Sequence, residues 1–409
     1  MATIEKLSQT SPPALLLLPA PPRPSSLIAL DAAYRAPLST VLNKLKSLPT
    51  QATLVIAVAC PILDGPSPRA KSVRWTEAQS LLAGLYTLVS GICASESIDV
   101  DVGAGPGSVD SRIVLVDHEP LRKYWLGPDG GYEPNRTAVL DLATFATKAH
   151  PWETIFHPST EAGYKLLSDF LGFAEKQTYT YNQLVAVDGG ITMIAETDAT
   201  TTVDQPNLVS TVCLGGTFDH LHPGHKLLLH ATALLLAIPE KDSGQTCTLI
   251  VGISGDELLV NKKYAEELQS WEERAQSVLS FLCTLLEFKT TMTAPPTISK
   301  PDELTATLRN RTVLVRCVNI HDPFGPTITE EAMDVIVVSA ETRGGGKAIN
   351  DRRTEKGWRP LEVYEIDVLD ARAITEGQGE GGASKTENFS AKISSSTIRE
   401  QRAAAKSQS

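Results

Sequence analysis

A short apolar strand, "STVCLG" (residues 210–215), runs into the paired glycines Gly215 and Gly216 and then into "TFDHLHPGHKLLL". Glycines at such a junction let the backbone turn sharply and approach a ligand closely. Pro223 stands at the early helical position that proline favours, and the apolar residues 227–236 carry a helix onward. "CTLIVGI" (residues 247–253) is the next strand. Strand, helix and strand within about forty residues form a βαβ unit, the length that a parallel crossover needs. This pattern restricts the region to an α/β architecture built on a parallel sheet. It also puts a helix N-terminus, with free N–H groups and a partial positive charge, just beyond the carboxyl end of a strand.

Three of the eight histidines, His220, His222 and His225, cluster at that corner. A strand-to-helix turn does not need imidazoles for its packing. His222 and His225 are three residues apart, so they lie side by side at the helix entrance, where they add donors for a phosphoryl group. A zinc site fits poorly: His220 and His222 are separated by one residue in a tight turn and no cysteine is close by. No metal-ligating residues are assigned.

The rest of the second half continues the α/β pattern over residues 211–402. A helix carries Glu272, Glu273 and Arg274 in its first turns, and strands follow at 311–318, 334–339 and 361–369. After the strand "DVIVVS" comes "SAETRGGGKAIN" (residues 339–350), where Arg343 and Lys347 supply charge and Gly344, Gly345 and Gly346 allow close backbone approach. It is not a P-loop, because Glu341 stands where a glycine is required and Ala348 where Ser or Thr is required. "KISSSTIRE" (residues 392–400) puts serine hydroxyls before a helix, between the cations Lys392 and Arg399. Lys262 and Lys263 follow the second strand, and "NIHDPFGP" (residues 319–326) is a Pro/Gly loop of the kind that shapes a pocket wall. Residues 375–390 read as a flexible surface loop and 403–409 as a tail.

Residues 26–191 form a second α/β unit, with strands at 53–59 and 112–118 and helices at 75–92 and 161–176. They contain no Gly-rich phosphate loop and no His/Cys cluster, so no chemistry is assigned to them. The Pro- and Ser-rich residues 1–25 are expected to be a mobile segment. Within them "ALLLLPAPP" is too short, and lacks the basic flank, for a signal peptide. The polar stretch 192–210 reads as a linker between two domains, the number that 409 residues suggest. A net charge of -11 argues against general nucleic-acid affinity while leaving room for a local cationic pocket. No segment reaches the ~18 uninterrupted apolar residues of a membrane helix. The six cysteines lie in apolar runs without C-x-x-C spacing and read as buried thiols of a cytoplasmic protein, with the nucleus also open.

Together the motifs resemble those of the nucleotidylyltransferase superfamily: a His/Thr-x-Gly-His motif in "GGTFDHLHPGH" and an Ile-Ser-Ser-Ser/Thr-x-x-Arg motif in "KISSSTIRE". Their order, with "DPFGP" and "VVSAETRGGGKAIN" between, resembles more closely the eukaryotic, fungal-like monofunctional phosphopantetheine adenylyltransferases over about residues 210–402. The resemblance implies a Rossmann-like parallel-sheet domain preceded by a second α/β domain. It implies conversion of 4′-phosphopantetheine and ATP into dephospho-coenzyme A and pyrophosphate, with Mg²⁺ accompanying ATP, as the penultimate step of coenzyme A synthesis. The expected partners are these two substrates and other coenzyme A biosynthetic enzymes, with no nucleic acid and no membrane. Oligomeric state is left open. No P-loop precedes Ser409, so a fused dephospho-coenzyme A kinase is not expected.

By the same resemblance His225 stabilises the pentacovalent α-phosphorus with His222 beside it, Thr217 orients the attacking phosphate, and Gly216 and Phe218 lie against ATP. Lys262, or Lys263 in its place, binds the pantetheine phosphate. Arg343 contacts phosphate with Gly344, Gly345 and Gly346 near ATP. Ser394, Ser395, Ser396 and Arg399 hold the nucleotide phosphates, and Asn319, Ile320 and Asp322 border the pantetheine pocket. The chemistry agrees with such a composition. A phosphate dianion attacking an anionic nucleotide needs no protein nucleophile or general base, only positioning and relief of charge repulsion. The competing expectations are a nicotinamide mononucleotide adenylyltransferase, a phospho-alcohol cytidylyltransferase, and a non-catalytic nucleotide-binding scaffold in a coenzyme A assembly.

Overall fold

The computed structural model describes residues 12–67, 70–100, 105–122, 124, 135–149, 151–174, 177–191, 208–287, 297–366 and 394–406. The linker at 192–207, the loop at 375–390 and Lys392 fall outside the described residues.

The first unit runs β1 (Ala14–Leu18), α1 (Leu27–Lys46), β2 (Ala52–Cys60), the hairpin β3 (Leu63–Ser67) and β4 (Ala70–Val73), and α2 (Trp75–Ser95). It continues with β5 (Val109–Asp117), β6 (Leu140–Asp141), α3 (Leu142–Lys148), β7 (Ile155–Pro158), α4 (Glu161–Phe173) and β8 (Leu184–Val187). Its six-stranded sheet has the order β6-β5-β2-β1-β7-β8, every pair parallel.

The structure corrects the reading of the N-terminal segment. "ALLLL", placed among residues expected to be mobile, is β1, an inner strand of this sheet, and all five of its residues are buried. An unbroken apolar run is what a strand covered on both faces requires, whereas alternation marks a half-exposed one. The prolines behind it end the strand.

The second unit runs β9 (Thr211–Gly216), α5 (Pro223–Ala233), β10 (Cys247–Ser254), α6 (Trp271–Leu286), β11 (Thr297–Lys300) and β12 (Glu303–Leu308). It ends with β13 (Val313–Ile320), β14 (Val335–Ser339), α7 (Arg343–Glu355), β15 (Glu362–Ile366) and α8 (Ser395–Lys406). The sheet order is β11-β12-β13-β10-β9-β14-β15. The five strands from β13 to β15 are parallel, and the β11–β12 hairpin, absent from the sequence reading, adds two antiparallel strands at one edge. From β9 the chain winds first toward β10 and β13, then returns to β14 and β15. The crevice between the carboxyl ends of β9 and β14 is therefore the topological switch point, where open α/β sheets bind ligands. "RGGGKAIN", read as a ligand-approaching segment after β14, is the first turns of α7.

The two units share one apolar core. Helix α2 accounts for much of it. By length and apolarity alone it could cross a membrane, but 67% of its most apolar window is buried. It packs against α1 in its own unit and against α5 in the other, so its apolar surface is covered on both sides. Leu82 and Leu88 on it are fully buried, as are Leu229 of α5 and Leu16 of β1. Replacing Leu16 by Ala should therefore lower unfolding stability by about 2–5 kcal/mol, the cost of a buried leucine with its cavity. Urea unfolding of the full chain measures this, and a loss under about 1 kcal/mol would return the segment to the surface.

Candidate active site

The corner that follows β9 is strained. Phe218 and His220 adopt left-handed backbone conformations, φ 51° and 47°. Each costs a non-glycine residue about 1–2 kcal/mol, so the surroundings must hold them there. The Phe218 side chain is fully buried beneath Gly216, where an added Cβ would lie 3.0 Å from the ring. The amide of His220 donates to Gln269 Oε1 at 2.8 Å, and its ring Nε2 lies 2.8 Å from the Glu267 carbonyl oxygen. Asp219 Oδ1 accepts from the Gln269 amide at 3.0 Å. His220, left without a role by the sequence, is a lock on the loop.

His222 is the N-cap of α5 and Pro223 its first helical residue. The His222 and His225 rings stack with centroids 3.9 Å apart at 24°. Gly224 leaves room for this, because a Cβ there would stand 3.2 Å from His222 Cε1. Phe218 supports the pair from below, its centroid 5.2 Å from that of His225. Nδ1 of each imidazole is buried without a hydrogen-bond partner among the described residues. A buried ring nitrogen without a partner is a cost that packing does not explain, and it stands here at a helix N-terminus, where anions are favoured.

The histidines of this corner are not cations. Burial, and then the nearby His220, push His225 down to about 3. Burial, followed by His225, Lys226 and His220, pushes His222 well below the ordinary range. Both are neutral near pH 7, and each carries one ring N–H to donate.

The second motif meets the first at Asp219. Ser394 Oγ accepts from the Thr397 amide at 3.3 Å at the start of α8, and Ser395 Oγ donates to the Asp219 carbonyl at 2.8 Å. Arg399, 2% exposed, pairs through Nη1 with Asp219 Oδ2, which is fully buried. Its Nε donates to the Lys263 carbonyl at 3.0 Å and its Nη2 to Ser396 Oγ at 3.1 Å. Arg399, expected to hold a nucleotide phosphate, joins "GGTFD" to the loop after β10 through its guanidinium. The Oγ atoms of Ser394, Ser395 and Ser396 also have protein partners, and Ser396 Oγ, an acceptor in its bond, keeps its O–H at the N-terminus of α8.

Arg274 is the residue that the sequence reading undervalued. Its side chain is fully buried, and it donates to the carbonyls of Thr217 and Ser254 at 2.8 Å each, to that of Gln269 at 3.1 Å, and to Asp256. It ties the carboxyl ends of β9 and β10 together. One signal was available: Arg274 shares the apolar face of α6 with Trp271, Ala275 and Val278, where a charge must have buried partners.

Other expected site residues lie on the same sheet edge with different partners. Lys262 and Lys263 are exposed in the loop after β10. Asn319 and Ile320 end β13 beside β10; Asn319 Nδ2 donates to Asp302 Oδ1 at 3.0 Å, and Ile320 pairs with Ser254. Asp322 is exposed, and its Oδ1 accepts from the amides of Phe324 and Gly325 at 2.7 and 2.8 Å and so shapes the "DPFGP" turn. Arg343 is engaged by both carboxylate oxygens of Glu365 rather than free for a phosphate, and Lys347 pairs with Asp351 at 3.2 Å. Gly344 and Gly345 have nothing within 4 Å of an added Cβ, so the protein's own packing does not require them, whereas Gly346 sits against Val338 and Val363 at 3.5 Å. Among the described residues no group of His, Cys, Asp and Glu could hold a metal ion.

The neutral histidines set a pH dependence. His230 on α5, 4% exposed, is likewise pushed down to about 3 by burial. An unfolded chain protonates histidine near 6.5, while the folded chain resists until about 3. Stability is therefore fully present above about pH 6.5 and falls with pH below it, by about 1.4 kcal/mol per pH unit for each extra proton that the unfolded chain binds. His230→Leu should flatten that slope in thermal unfolding between about pH 6.5 and 4. An unchanged slope would show that His230 protonates normally in the fold.

A cytidylyltransferase-like family matches residues 213–401, and a domain of unknown function (DUF8446) matches residues 1–193. The chain is 33% identical over 193 residues to the phosphopantetheine adenylyltransferase of Saccharomyces cerevisiae, covering 47% of this chain and 48% of that one. An uncharacterized protein of Schizosaccharomyces pombe, C1F12.08, is 37% identical over 196 residues, 48% of each chain. The match spans about half the length of these two fungal relatives. The phosphopantetheine adenylyltransferase of Pyrobaculum aerophilum is 33% identical over 159 residues, 39% of this chain and 79% of that protein. The chain belongs to the nucleotidylyltransferase superfamily, with a cytidylyltransferase-like C-terminal half related to fungal and archaeal phosphopantetheine adenylyltransferases and a further α/β unit before it.

Proposed function

We propose that the C-terminal unit transfers the adenylyl group of ATP to 4′-phosphopantetheine, releasing pyrophosphate and forming dephospho-coenzyme A. The observation that carries this reading is the stacked, neutral pair His222 and His225 at the N-terminus of α5. The names of the fungal and archaeal relatives support the choice of acceptor.

In the proposed reaction an oxygen of the acceptor phosphate attacks the α-phosphorus of ATP. The new P–O bond forms as the bond to the β-phosphate oxygen breaks, and pyrophosphate leaves with that electron pair. The attacking oxygen is already deprotonated, so no general base is used. Neutral imidazole N–H donors suit this step: they strengthen as charge builds on the equatorial oxygens and cost little to keep dry beforehand. His225 donates to the pentacovalent phosphorus group and His222 to an adjacent phosphate. Gly216 and Thr217 form the floor against which the nucleotide rests, with the buried Phe218 ring beneath Gly216. Lys262 or Lys263 takes the acceptor phosphate, and Asn319 and Ile320 border the pantetheine arm. Arg343 reaches a phosphate by exchanging Glu365 for it. Mg²⁺ would accompany ATP and offset part of its phosphate charge. The cytoplasm is the proposed compartment, and other enzymes of coenzyme A synthesis are the proposed protein partners.

Pyrophosphate release by the purified full chain tests the reading. ATP should be paired with 4′-phosphopantetheine and with nicotinamide mononucleotide, and CTP with a phospho-alcohol. Turnover with ATP and 4′-phosphopantetheine is the expected result, and turnover with only one of the other pairs would reassign the acceptor. His225→Ala should lower kcat by about 10²- to 10³-fold, the effect of removing one transition-state donor, with a smaller change in ATP affinity. Full activity in that variant would remove His225 from the mechanism.

A further inference from the structure

The N-terminal unit carries no phosphate loop, yet it reaches the helix that bears the histidines through buried charge. Asp110 and Arg112 are two residues apart on β5, so they point to the same face of the strand. Asp110 Oδ1 accepts from Lys226 Nζ at 2.6 Å, and Oδ2 accepts from Arg112 Nε at 2.8 Å. Lys226 Nζ also donates to the Ser111 carbonyl at 3.1 Å. Arg112 continues into α6, donating through Nη1 to the Ser280 carbonyl at 3.1 Å and to Thr284 Oγ1 at 2.6 Å. All three charged residues are buried, with Lys226 only 1% exposed. Burial alone would raise the Asp110 carboxyl, but Arg112 and Lys226 outweigh it and hold the group ionised far below the usual range.

Lys226 directly follows His225, and its amide donates to the His222 carbonyl at 3.1 Å in the first turn of α5. At the far end of the same helix, Trp75 Nε1 of α2 donates to the Ala231 carbonyl at 3.0 Å. The helix is eleven residues long and is held near both ends by the N-terminal unit. Two such points fix both its rotation and its slide along its axis. The α6 arm matters equally, since α6 carries Arg274, whose guanidinium holds the Thr217 carbonyl. One pair of residues on β5 therefore sets the relative placement of the two helices that support the phosphate corner.

Stability alone does not explain this arrangement. Buried ion clusters often contribute no more than well-packed apolar residues of the same volume. What they add is direction, because each donor accepts only a narrow geometry. The corner needs direction, because its two left-handed residues and the bare N-cap of α5 leave the approach to His222 short of local support.

We propose that Asp110, acting through Lys226, is a positioning residue for adenylyl transfer, and that the N-terminal unit serves to hold α5 and α6 in register around the phosphate corner. This rests on the function proposed above.

Asp110→Asn keeps the shape and removes the charge. Measured on the full chain, it should lower kcat about tenfold or more with the KM for ATP changed less than about twofold, the pattern of a misplaced transition-state donor rather than a lost binding site. Trp75→Phe removes the second point of the clamp without touching the charges, and should shift kcat in the same direction by a smaller factor. It also serves as the test if Asp110→Asn does not fold. Histidine ring signals in NMR give a readout that needs no turnover: those of His222 and His225 should move in both variants, while that of the distant His157 stays. Unmoved ring signals, or a lowered Tm with kcat per folded molecule unchanged, would reduce the cluster to domain glue and overturn the proposal. If the wild-type chain transfers no adenylyl group, the proposed function fails, and the ring signals alone decide whether β5 positions the histidines.

Discussion

The Asp219 carboxylate is the point on which the candidate site converges. It is fully buried, and a carboxylate in that setting is tolerable only if its oxygens are met by donors. The Gln269 amide and the Arg399 guanidinium meet them, from segments 50 and 180 residues away in the chain. The residues on either side, Phe218 and His220, are the ones held in the left-handed region. The strain and the ion pair belong to one device. The corner takes its unusual shape because Asp219 is pinned from two directions, and the His222–His225 pair stands on that shape.

Buried arginine recurs as the means of holding strand ends. Arg274 gathers the carbonyls beyond β9 and β10, and Arg353 binds those of Thr327, Glu330, Glu331 and Arg359 behind the "DPFGP" turn. Arg309 reaches the Thr137 and Ala138 carbonyls of the first unit. Backbone carbonyls in the loops at either edge of a parallel sheet lack ladder partners, and a planar fork of donors can satisfy several at once. Arg112, Arg274, Arg353 and Arg399 are thus buried and spend their charge inside the protein. Around the corner stand helix N-termini, neutral imidazoles and exposed lysines, the donors that the proposed function assigns to phosphate.

That division explains which parts of the site were legible beforehand. "GGTFDHLHPGH" and "KISSSTIRE" could be paired by resemblance, and the structure joins them through Ser395 and Arg399. Which of their side chains face the crevice could not be read. Arg399, Asp322 and Arg343 have the residue types of phosphate or substrate contacts, but a cation beside a motif looks the same in sequence whether it meets a ligand or a buried carboxylate. His220 and His222 stand one residue apart, yet one is bonded to the Glu267 carbonyl and the other has an unpartnered nitrogen.

For the fold, long apolar strands such as β2, β5 and β10, and amphipathic helices such as α4 and α6, were visible because periodicity is a local property of the chain. Strand β1 was not: five leucine-rich residues bounded by prolines carry no period, and only their place inside a sheet explains their composition. The β11–β12 hairpin was lost for a similar reason, being short and at an edge. By itself the sequence determined a parallel βαβ corner, its helix N-terminus and the residue types gathered there, since these follow from spacing and local chemistry. Tertiary structure alone decided which charges became clamps and which stayed open, and that an N-terminal unit to which the sequence assigned no chemistry would grip the histidine-bearing helix. Those outcomes depend on contacts between residues more than a hundred positions apart, such as Asp110 with Lys226 and Asp219 with Arg399, and no local pattern encodes them.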